Sequence, residues 1–365
     1  MKPQNASIYR YSIPFVRPVP VLGKSLDTRD GFVLALESAD GQHTGFGEIA
    51  PLPGLHKESL DEAFEACESL LLSADLSYGG LSFEDAGQHL PDSVLPSVRS
   101  GFEMALLNLQ SAVSGIFPSL PGAPKAARKL PLNALLFGDA PSVISMAKDY
   151  FLKGYRTFKL KVQASDPGLA VEQVLALRSA FGGEISLRLD SNRSFDLEKA
   201  CRFFNRIPAD SIEYIEEPLA DPFLIPEFFS RTGIRSALDE SLWMSPGIWN
   251  GIESNCLSGV VLKPARLGSF ATTLRLAREA GDAGIAAVIS AAFESGIALG
   301  FYAQLASLVS EKPVPCGLDT FRQFNRDILY KPLHAESGHL DTATAYRNSL
   351  NPDLSRLKLI EEWTL

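Results

Sequence analysis

The sequence is poor in cysteine and lacks any pairing of cysteines that would indicate a disulfide framework or a zinc site. Its 365 residues include four cysteines, Cys67, Cys201, Cys256 and Cys316, and none of them forms a C-x-x-C pair. Cysteines this far apart are typical of reduced, buried thiols. They predict a cytoplasmic protein.

The sequence also lacks the signals of a protein that binds nucleic acid or membrane. Its net charge of −9 argues against a general affinity for nucleic acid or anionic lipid. Residues 1–15 have no apolar core of the kind found in signal peptides. One apolar stretch, 283–309, contains Glu294 and Gln304, so we interpret it as a strand and a buried helix. We expect a small-molecule carboxylate as the partner, no nucleic acid and no membrane, and we leave the oligomeric state open.

The N-terminal part of the chain predicts a small antiparallel sheet followed by helices. The segments SIYRYSIP, FVLALE and GFGEI read as strands, with a loop rich in Pro, Gly and Asp between the first two. Helical periodicity follows over residues 59–72 and 96–113. Glu48 ends the third strand, and we interpret it as a solvated loop carboxylate rather than a substrate contact.

The chain length predicts a second, larger part. A (β/α)₈ barrel takes about 250 residues and leaves roughly 100 of the 365 for something else. We therefore predict an α+β capping domain that governs specificity at 1–125, the catalytic barrel at 126–325, and a tail at 326–365 that packs back on the cap. A linker containing Pro and Lys, near 122–129, separates cap from barrel.

Charged residues stand at the ends of successive apolar runs in the barrel region. The runs FKLKV, ISLRLD, IEYIEE, IRSALD and GVVLK read as short buried strands, and further strands are expected at 130–135, 286–290 and about 315–319. From the second run onwards their charged ends recur about every 25 residues, the length of one βα unit. Because parallel strands end on one face, these side chains should meet where barrel enzymes hold catalytic residues. They are Lys159, Lys161, Asp190, Glu216, Asp239 and Lys263.

The three carboxylates of this set predict a metal site. Asp190, Glu216 and Asp239 at adjacent strand ends would repel one another unless a cation lay between them. Carboxylates completed by water and substrate oxygens suit Mg²⁺, with Mn²⁺ as an alternative ion. The competing interpretation is three unrelated surface acids, and the position of each directly after a strand favours the metal.

The lysines predict acid–base chemistry. Lys159 and Lys161 are two apart on one strand and so point to the same face. Neighbouring positive charge disfavours the ammonium form and moves such lysines towards a neutral amine that can act as a base. Lys263 lies across the barrel mouth, so a substrate between would have an amine on each face. The arrangement predicts removal of a proton next to a carboxylate, with Mg²⁺ stabilising the ene-diolate.

The motifs K-x-K, D-x-N, E-E-P and D-E-S with a later lysine resemble the enolase superfamily, in its muconate-lactonizing-enzyme-like branch with a lysine on each side of the site. The resemblance covers essentially the whole chain. It implies an α/β fold, a modified (β/α)₈ TIM barrel with an N-terminal α+β capping domain. It also implies that Asp190, Glu216 and Asp239 bind the metal, with Asn192 and Glu240 beside them.

The resemblance also implies an activity. The segments RLDSNR, YIEEP, LDESL, VLKP and GLDT are most similar to branch members that dehydrate a cyclohexadiene carboxylate to an aromatic succinylbenzoate in menaquinone biosynthesis. Lys161 would remove the α-proton and then help the hydroxide leave. Lys159 would keep Lys161 neutral, and Lys263 would stabilise the enediolate from the opposite face. Substrate contacts are expected from Arg188, Gly268, Ser269, Ser290 and Glu294.

Two other interpretations remain. An N-succinylamino acid racemase or dipeptide epimerase of the same branch would need the same metal and both Lys161 and Lys263. A binding barrel with a degenerate site would have lost some of the six charged residues, and all six are present. The segment KPARLGS after the sixth strand favours the dehydrating enzyme. The segment SAAFESG after the seventh departs from the serine-rich run of that group, so backbone N–H groups at the next helix start would bind the succinyl carboxylate.

Overall fold

A computed structural model describes residues 1–21, 24–120, 126–162, 164–244, 247–310 and 312–365. Residues 122–125 of the expected linker lie outside this described part. Within it, the helices are α1 Leu60–Ser73, α2 Pro96–Ser114, α3 Ala140–Leu152, α4 Pro167–Phe181, α5 Leu197–Phe204, α6 Ile225–Thr232, α7 Ser241–Met244, α8 Pro264–Leu267, α9 Phe270–Asp282, α10 Gly296–Val309 and α11 Thr342–Ser349. The strands are β1 Asn5–Val21, β2 Lys24–Glu37, β3 Thr44–Ile49, β4 Lys129–Pro131, β5 Asn133–Leu136, β6 Thr157–Lys161, β7 Ser186–Asp190, β8 Tyr214–Glu216, β9 Ser236–Leu238, β10 Leu257–Leu262, β11 Ala286–Ile289, β12 Ala335–Glu336, β13 His339–Asp341 and β14 Lys358–Thr364.

The N-terminal sheet is antiparallel, in the order β14-β1-β2-β3. Strands β1 and β2 are much longer than predicted, because their pairing runs from Asn5↔Glu37 to Val21↔Lys24 and includes the segment expected to be a loop. Burial alternates along β1, which is the pattern of a strand with one covered face. The Pro, Gly and Asp content of this hairpin hid that alternation in the sequence.

Helices α1 and α2 pack against strands β2 and β3 of this sheet. Ser59 and Glu62 form a capping box that starts α1, which is why the helix begins where the sequence predicts. Helix α2 approaches β3 closely, because a Cβ atom at Gly47 would lie 1.9 Å from the carbonyl oxygen of Gly101. The far end of the β1–β2 hairpin belongs to a different core, since Tyr11 and Val19 pack with the barrel.

The second sheet is parallel, with the order β11-β10-β9-β8-β7-β6-β5. It is closed by single bridges, Leu132↔Cys316 and Ser290↔Gly317, which occupy the place of the predicted eighth strand. Pro315 has no N–H to donate, which disfavours a longer strand there. The fold is therefore a capped, modified TIM barrel, as the sequence predicted, with an eighth strand reduced to two residues.

One segment differs from the sequence-based expectation, and another contains elements that the sequence did not indicate. The predicted first barrel strand is divided: β4 pairs with β13 in a small antiparallel sheet of order β12-β13-β4, and only β5 enters the barrel. The tail, which had no strong periodicity, forms α11 against α10 and β14 against β1. Gly300 permits the helix contact, because a Cβ atom there would lie 2.4 Å from the carbonyl oxygen of Ala345. Across the described ranges, we find no helix that is long and apolar enough to span a membrane.

Candidate active site

The strand ends bring the six predicted charged residues to the mouth of the barrel. The register sets Lys161 beside Asp190 and Asp190 beside Glu216 on β6, β7 and β8. Asp239 and Lys263 directly follow β9 and β10. The side chains come together because the parallel strands end at one face of the barrel and each charged residue lies at or within two residues of a strand end.

A cavity of about 480 Å³ opens at this mouth. Lys159, Lys161 and Lys263 line it, together with Asn192 and Ser290. The cap also lines the cavity with apolar side chains from the hairpin and from the loop after β3: Val19, Val21, Leu52 and Leu55. The cavity therefore combines a charged floor with walls that suit a hydrocarbon ring.

The lysines make close ion pairs with the carboxylates. Lys159 Nζ lies 2.8 Å from Asp190 Oδ2 and 2.7 Å from Glu216 Oε1. Lys161 Nζ lies 2.6 Å from Asp190 Oδ2 and 2.8 Å from Asn192 Oδ1. Lys263 Nζ pairs with Asp239 Oδ2. All three carboxylates are fully buried, so these pairs lie in a region of low dielectric.

The carboxylates of the site raise the pKa of Lys159, which is opposite to the expectation from neighbouring positive charge, and they also raise the pKa of Lys263. Burial lowers the pKa of Lys159, but Asp190, Glu216 and Asp239 outweigh burial and hold that pKa well above its ordinary value. Burial likewise lowers the pKa of Lys263, and Asp239 raises it above the ordinary value. Both residues are therefore fixed positive charges in this arrangement.

Several oxygen atoms of the site have no partner although they are buried. They are Glu216 Oε2, Asp239 Oδ1 and Glu240 Oε2. The other oxygen of Glu240 accepts a hydrogen bond of 2.7 Å from Asn192 Nδ2. Buried carboxylate oxygens without donors are the hard ligands that a divalent cation prefers. In the described part of the chain, however, no three acidic, His or Cys side chains are grouped closely enough to hold an ion as they stand.

The five expected substrate contacts differ in their position relative to the cavity. Ser290 lines the cavity, but the other four are not among the described residues that line it. Arg188 pairs with Glu213 at 2.9 Å and donates to the carbonyl oxygen of Pro315 at 2.7 Å, so it ties strands together inside the barrel. An arginine two residues before a strand end faces the barrel interior below the mouth.

The remaining three have structural roles at helix ends or in the loop before α10. Ser269 caps α9 by accepting from the N–H of Thr272, and Gly268 ends α8 with a φ of 77°. Glu294 is buried and accepts from the N–H of Ala292. Burial raises the pKa of Glu294 to about 7.

The interpretation of Glu48 as a solvated carboxylate is wrong. Glu48 is 4% exposed and accepts from the N–H of Ser295 at 2.8 Å, the hydroxyl of Ser295 at 2.6 Å and the N–H of Ala298 at 3.1 Å. The hydroxyl of Tyr11 is a further donor. A carboxylate from the cap thus occupies the N-terminus of barrel helix α10, where the helix dipole favours negative charge.

Sequence reasoning missed one buried cluster beside the cavity. Asp319 lines the cavity and accepts from Tyr155 Oη at 2.6 Å and from Arg322 Nε at 3.0 Å. Burial raises the pKa of Asp319 to about 7. The motif GLDT contained the residue, but Tyr155 lies 164 positions away in the chain, so no local pattern indicated the cluster.

Family models and a curated relative indicate the same family for this chain. Residues 142–346 match the family model described as enolase C-terminal domain-like, and residues 3–109 match the one described as MenC, N-terminal domain. The chain is 32% identical to o-succinylbenzoate synthase from Aliivibrio fischeri (strain ATCC 700601 / ES114), over 89% of this chain and 93% of that protein.

Solved structures agree with the fold. Muconate lactonizing enzyme from Pseudomonas fluorescens, complexed with muconolactone, has a TM-score of 0.81 and 25% identity over 98% of this chain and 97% of that one. An enolase superfamily member from Roseovarius nubinhibens, complexed with magnesium, has a TM-score of 0.79 and 18% identity over 100% of both chains.

A cap over a modified barrel, with lysines and carboxylates at its mouth, defines an enzyme of the enolase superfamily. Both parts of the chain match, and the identity to curated relatives extends over nearly their whole length. The chain belongs to the o-succinylbenzoate synthase family.

Proposed function

We propose that the chain is a lyase that forms 2-succinylbenzoate by syn elimination of water from 2-succinyl-6-hydroxy-2,4-cyclohexadiene-1-carboxylate. The observation that carries the proposal is the pairing of Lys161 with Asp190 on one side of the cavity and of Lys263 with Asp239 on the other. A flat ring between them has an amine near each face. The family to which the chain belongs supports this choice of substrate.

We assign Asp190, Glu216 and Asp239 as the ligands of Mg²⁺. The free buried oxygens on Glu216 and Asp239 support this assignment. The ion would compete with the lysines for the same carboxylates. When bound, it supplies positive charge beside the substrate carboxylate and makes the adjacent C–H more acidic. Mn²⁺ is the alternative ion, since its ligand preference is similar.

Lys161 carries the proton transfers in this proposal. Its side chain is 33% exposed to the cavity, whereas the Lys159 side chain is 13% exposed, so Lys161 is the more accessible amine. The neutral amine takes the α-proton from the ring carbon. The resulting ammonium gives that proton to the hydroxyl group that leaves as water. Both transfers occur on one face, and the ring gains its aromatic double bond.

Lys159 and Lys263 act through their charge. Lys159 holds its proton strongly beside Asp190 and Glu216, so it supplies a fixed positive charge at the floor of the site. Lys263 also holds its proton and places positive charge near the enediolate from the opposite face. Asn192 positions Lys161 by accepting its hydrogen bond, and Glu240 holds Asn192.

The cap closes the cavity in this proposal. We propose the division into a specificity cap at 1–125, a catalytic barrel at 126–325 and a tail at 326–365. Leu52 and Leu55 from the cap support a role in shaping the apolar wall, because expulsion of water strengthens the electrostatic interactions at the floor.

A direct assay tests the function. Purified protein is stripped of metal and incubated with the cyclohexadiene carboxylate, and the aromatic product is followed by ultraviolet absorbance. Turnover should be absent in chelator and should return with Mg²⁺. Full activity in excess chelator after metal stripping would contradict the metal assignment, and no aromatic product with any divalent ion would contradict the function.

A further inference from the structure

Arg29 lies on β2 in the hairpin of the cap and is only 1% exposed. Its hydrogen-bond donors point to backbone carbonyls. Arg29 Nε donates to the carbonyl oxygen of Phe293 at 2.9 Å. Nη1 donates to those of Asp30 at 2.9 Å and Pro51 at 3.2 Å, and Nη2 donates to that of Ala50. The planar guanidinium is therefore used as a rigid fork.

Apart from the carbonyl of Asp30 on β2, the carbonyls belong to two loops that both line the cavity. The cap loop, residues 50–56, contributes Leu52 and Leu55, and the barrel loop, residues 290–294, contributes Ser290 and Phe293. These loops come from different parts of the chain, one after β3 and the other after β11. Arg29 is not among the described lining residues, and its four hydrogen bonds go to backbone carbonyls rather than to the lysines or carboxylates of the floor.

Each loop contains an internal hydrogen bond, and Arg29 connects the two loops to each other. The N–H of Leu52 donates to His56 Nδ1 at 2.9 Å within the cap loop. In the barrel loop, Glu294 accepts from the N–H of Ala292. Phe293 has a φ of 60°, which is unfavourable for a residue with a bulky side chain and persists only where its surroundings impose it. The bond from Arg29 to the Phe293 carbonyl is one such constraint.

We propose that Arg29 is a positioning residue that couples the cap loop to the barrel loop and so fixes the two apolar walls of the cavity relative to each other. Its loss would leave buried carbonyl oxygens in both loops without donors, and the loops would then move independently. The effect on catalysis rests on the proposed function. The hydrogen bonds of Arg29 do not involve the charged residues of the floor. The loss of Arg29 should therefore raise KM by a larger factor than it lowers kcat.

Hydrogen–deuterium exchange tests the coupling without reference to activity. The variant Arg29→Met keeps an unbranched stem and removes every donor. A matched control is Arg178→Met, because Arg178 also donates to three backbone carbonyls, those of Ser211, Gly182 and Ile185, at 2.7, 2.7 and 2.8 Å. None of these residues lines the cavity.

In Arg29→Met, peptides covering 50–56 and 290–294 should both exchange at least about tenfold faster, with 186–190 unchanged. Arg178→Met should leave both loops as in the wild type. Arg29→Lys should behave as Arg29→Met, because one ammonium cannot serve carbonyls in both loops. Faster exchange in one loop only, an even change across the barrel, or wild-type exchange in Arg29→Lys would overturn the proposal.

Kinetics on the cyclohexadiene carboxylate test the consequence for the reaction. Arg29→Met should raise KM by about tenfold while kcat changes by less than about threefold. A fall of about tenfold in kcat with an unchanged KM would overturn the positioning role. If the wild type itself forms no aromatic product, the proposed function fails, whereas the exchange result still decides whether Arg29 couples the loops.

Discussion

Glu48 in the cap accepts hydrogen bonds from both the N–H and the hydroxyl of Ser295, at 2.8 and 2.6 Å, at the start of a barrel helix. This pair joins two regions that are 247 positions apart in the chain. Together with Tyr11 and Ala298, it gives a buried carboxylate a full set of donors. The cap is thus held to the barrel by a specific polar contact as well as by apolar packing.

Removal of this carboxylate should destabilise the protein strongly. Glu48→Ala leaves several buried donors unpaired, so the free energy of unfolding should fall by about 3–5 kcal/mol. The matched control is Asp196→Ala, an exposed N-cap of α5 that accepts from the N–H of Lys199 and should cost only about 1 kcal/mol. Urea unfolding measures both, and equal losses in the two variants would contradict this account.

The neighbouring acids Glu216 and Glu217 should differ in metal binding. Glu216 Oε2 is buried and unpaired, whereas the oxygens of Glu217 accept from the N–H groups of Asp239 and Ser241 and from the Ser241 hydroxyl. Glu216→Gln should weaken Mg²⁺ binding by at least about 100-fold, and Glu217→Gln should change it by less than about tenfold. Calorimetric titration with Mg²⁺ separates the two, and similar affinities in both variants would argue against Glu216 as a ligand.

Replacement of Lys161 should abolish turnover without unfolding the protein. Lys161→Ala should lose activity by several orders of magnitude, since acid and base catalysis are each worth about 10²–10⁴-fold. Lys161→Arg should be no better, because guanidinium stays protonated. Added methylamine should restore part of the activity of Lys161→Ala, since the Lys161 side chain is 33% exposed. Activity of Lys161→Ala within about tenfold of the wild type would place the proton transfer elsewhere.

Glu103 should make the protein less stable as the pH rises. Burial raises the pKa of Glu103 from 4.5 to about 7, against the lowering effect of the Phe270 N–H and Arg99. The folded state therefore keeps a proton that the unfolded state loses, and this stability disappears between pH 4.5 and 7. Relative to Glu103→Gln, the wild type should lose roughly 2–3 kcal/mol between about pH 5 and pH 8 in urea unfolding. A difference that does not change with pH would contradict the pKa.

The barrel and its charged mouth were predictable because their signals are local. Each strand is a short apolar run, and Asp190 or Glu216 directly follows the run that carries it. The cap hairpin was not predictable, because its Pro, Gly and Asp residues are typical of loops and pairing with a partner strand overrides that preference. The roles of Arg29 and Glu48 depend on contacts between residues far apart in the chain, which no pattern within one segment reveals.

Lys263 distinguishes the proposed lyase from a racemase of the same superfamily branch. In the lyase, Lys161 makes both proton transfers and Lys263 supplies only charge. Lys263→Arg should then retain at least about tenfold more dehydration activity than Lys263→Ala, because guanidinium keeps the charge. A racemase needs Lys263 to deliver a proton from the second face. Lys263→Arg and Lys263→Ala would then be equally inactive in racemisation.

Exchange in D₂O gives the decisive comparison of the two activities. The wild type is incubated separately with an N-succinyl amino acid and with the cyclohexadiene carboxylate, and rates are compared by NMR. We expect dehydration to be much faster than inversion at the α-carbon, because inversion requires Lys263 to transfer a proton on the second face and Lys263 holds its proton strongly beside Asp239. Fast inversion with deuterium uptake and negligible dehydration would favour the racemase, while leaving the barrel and the metal assignment unaffected.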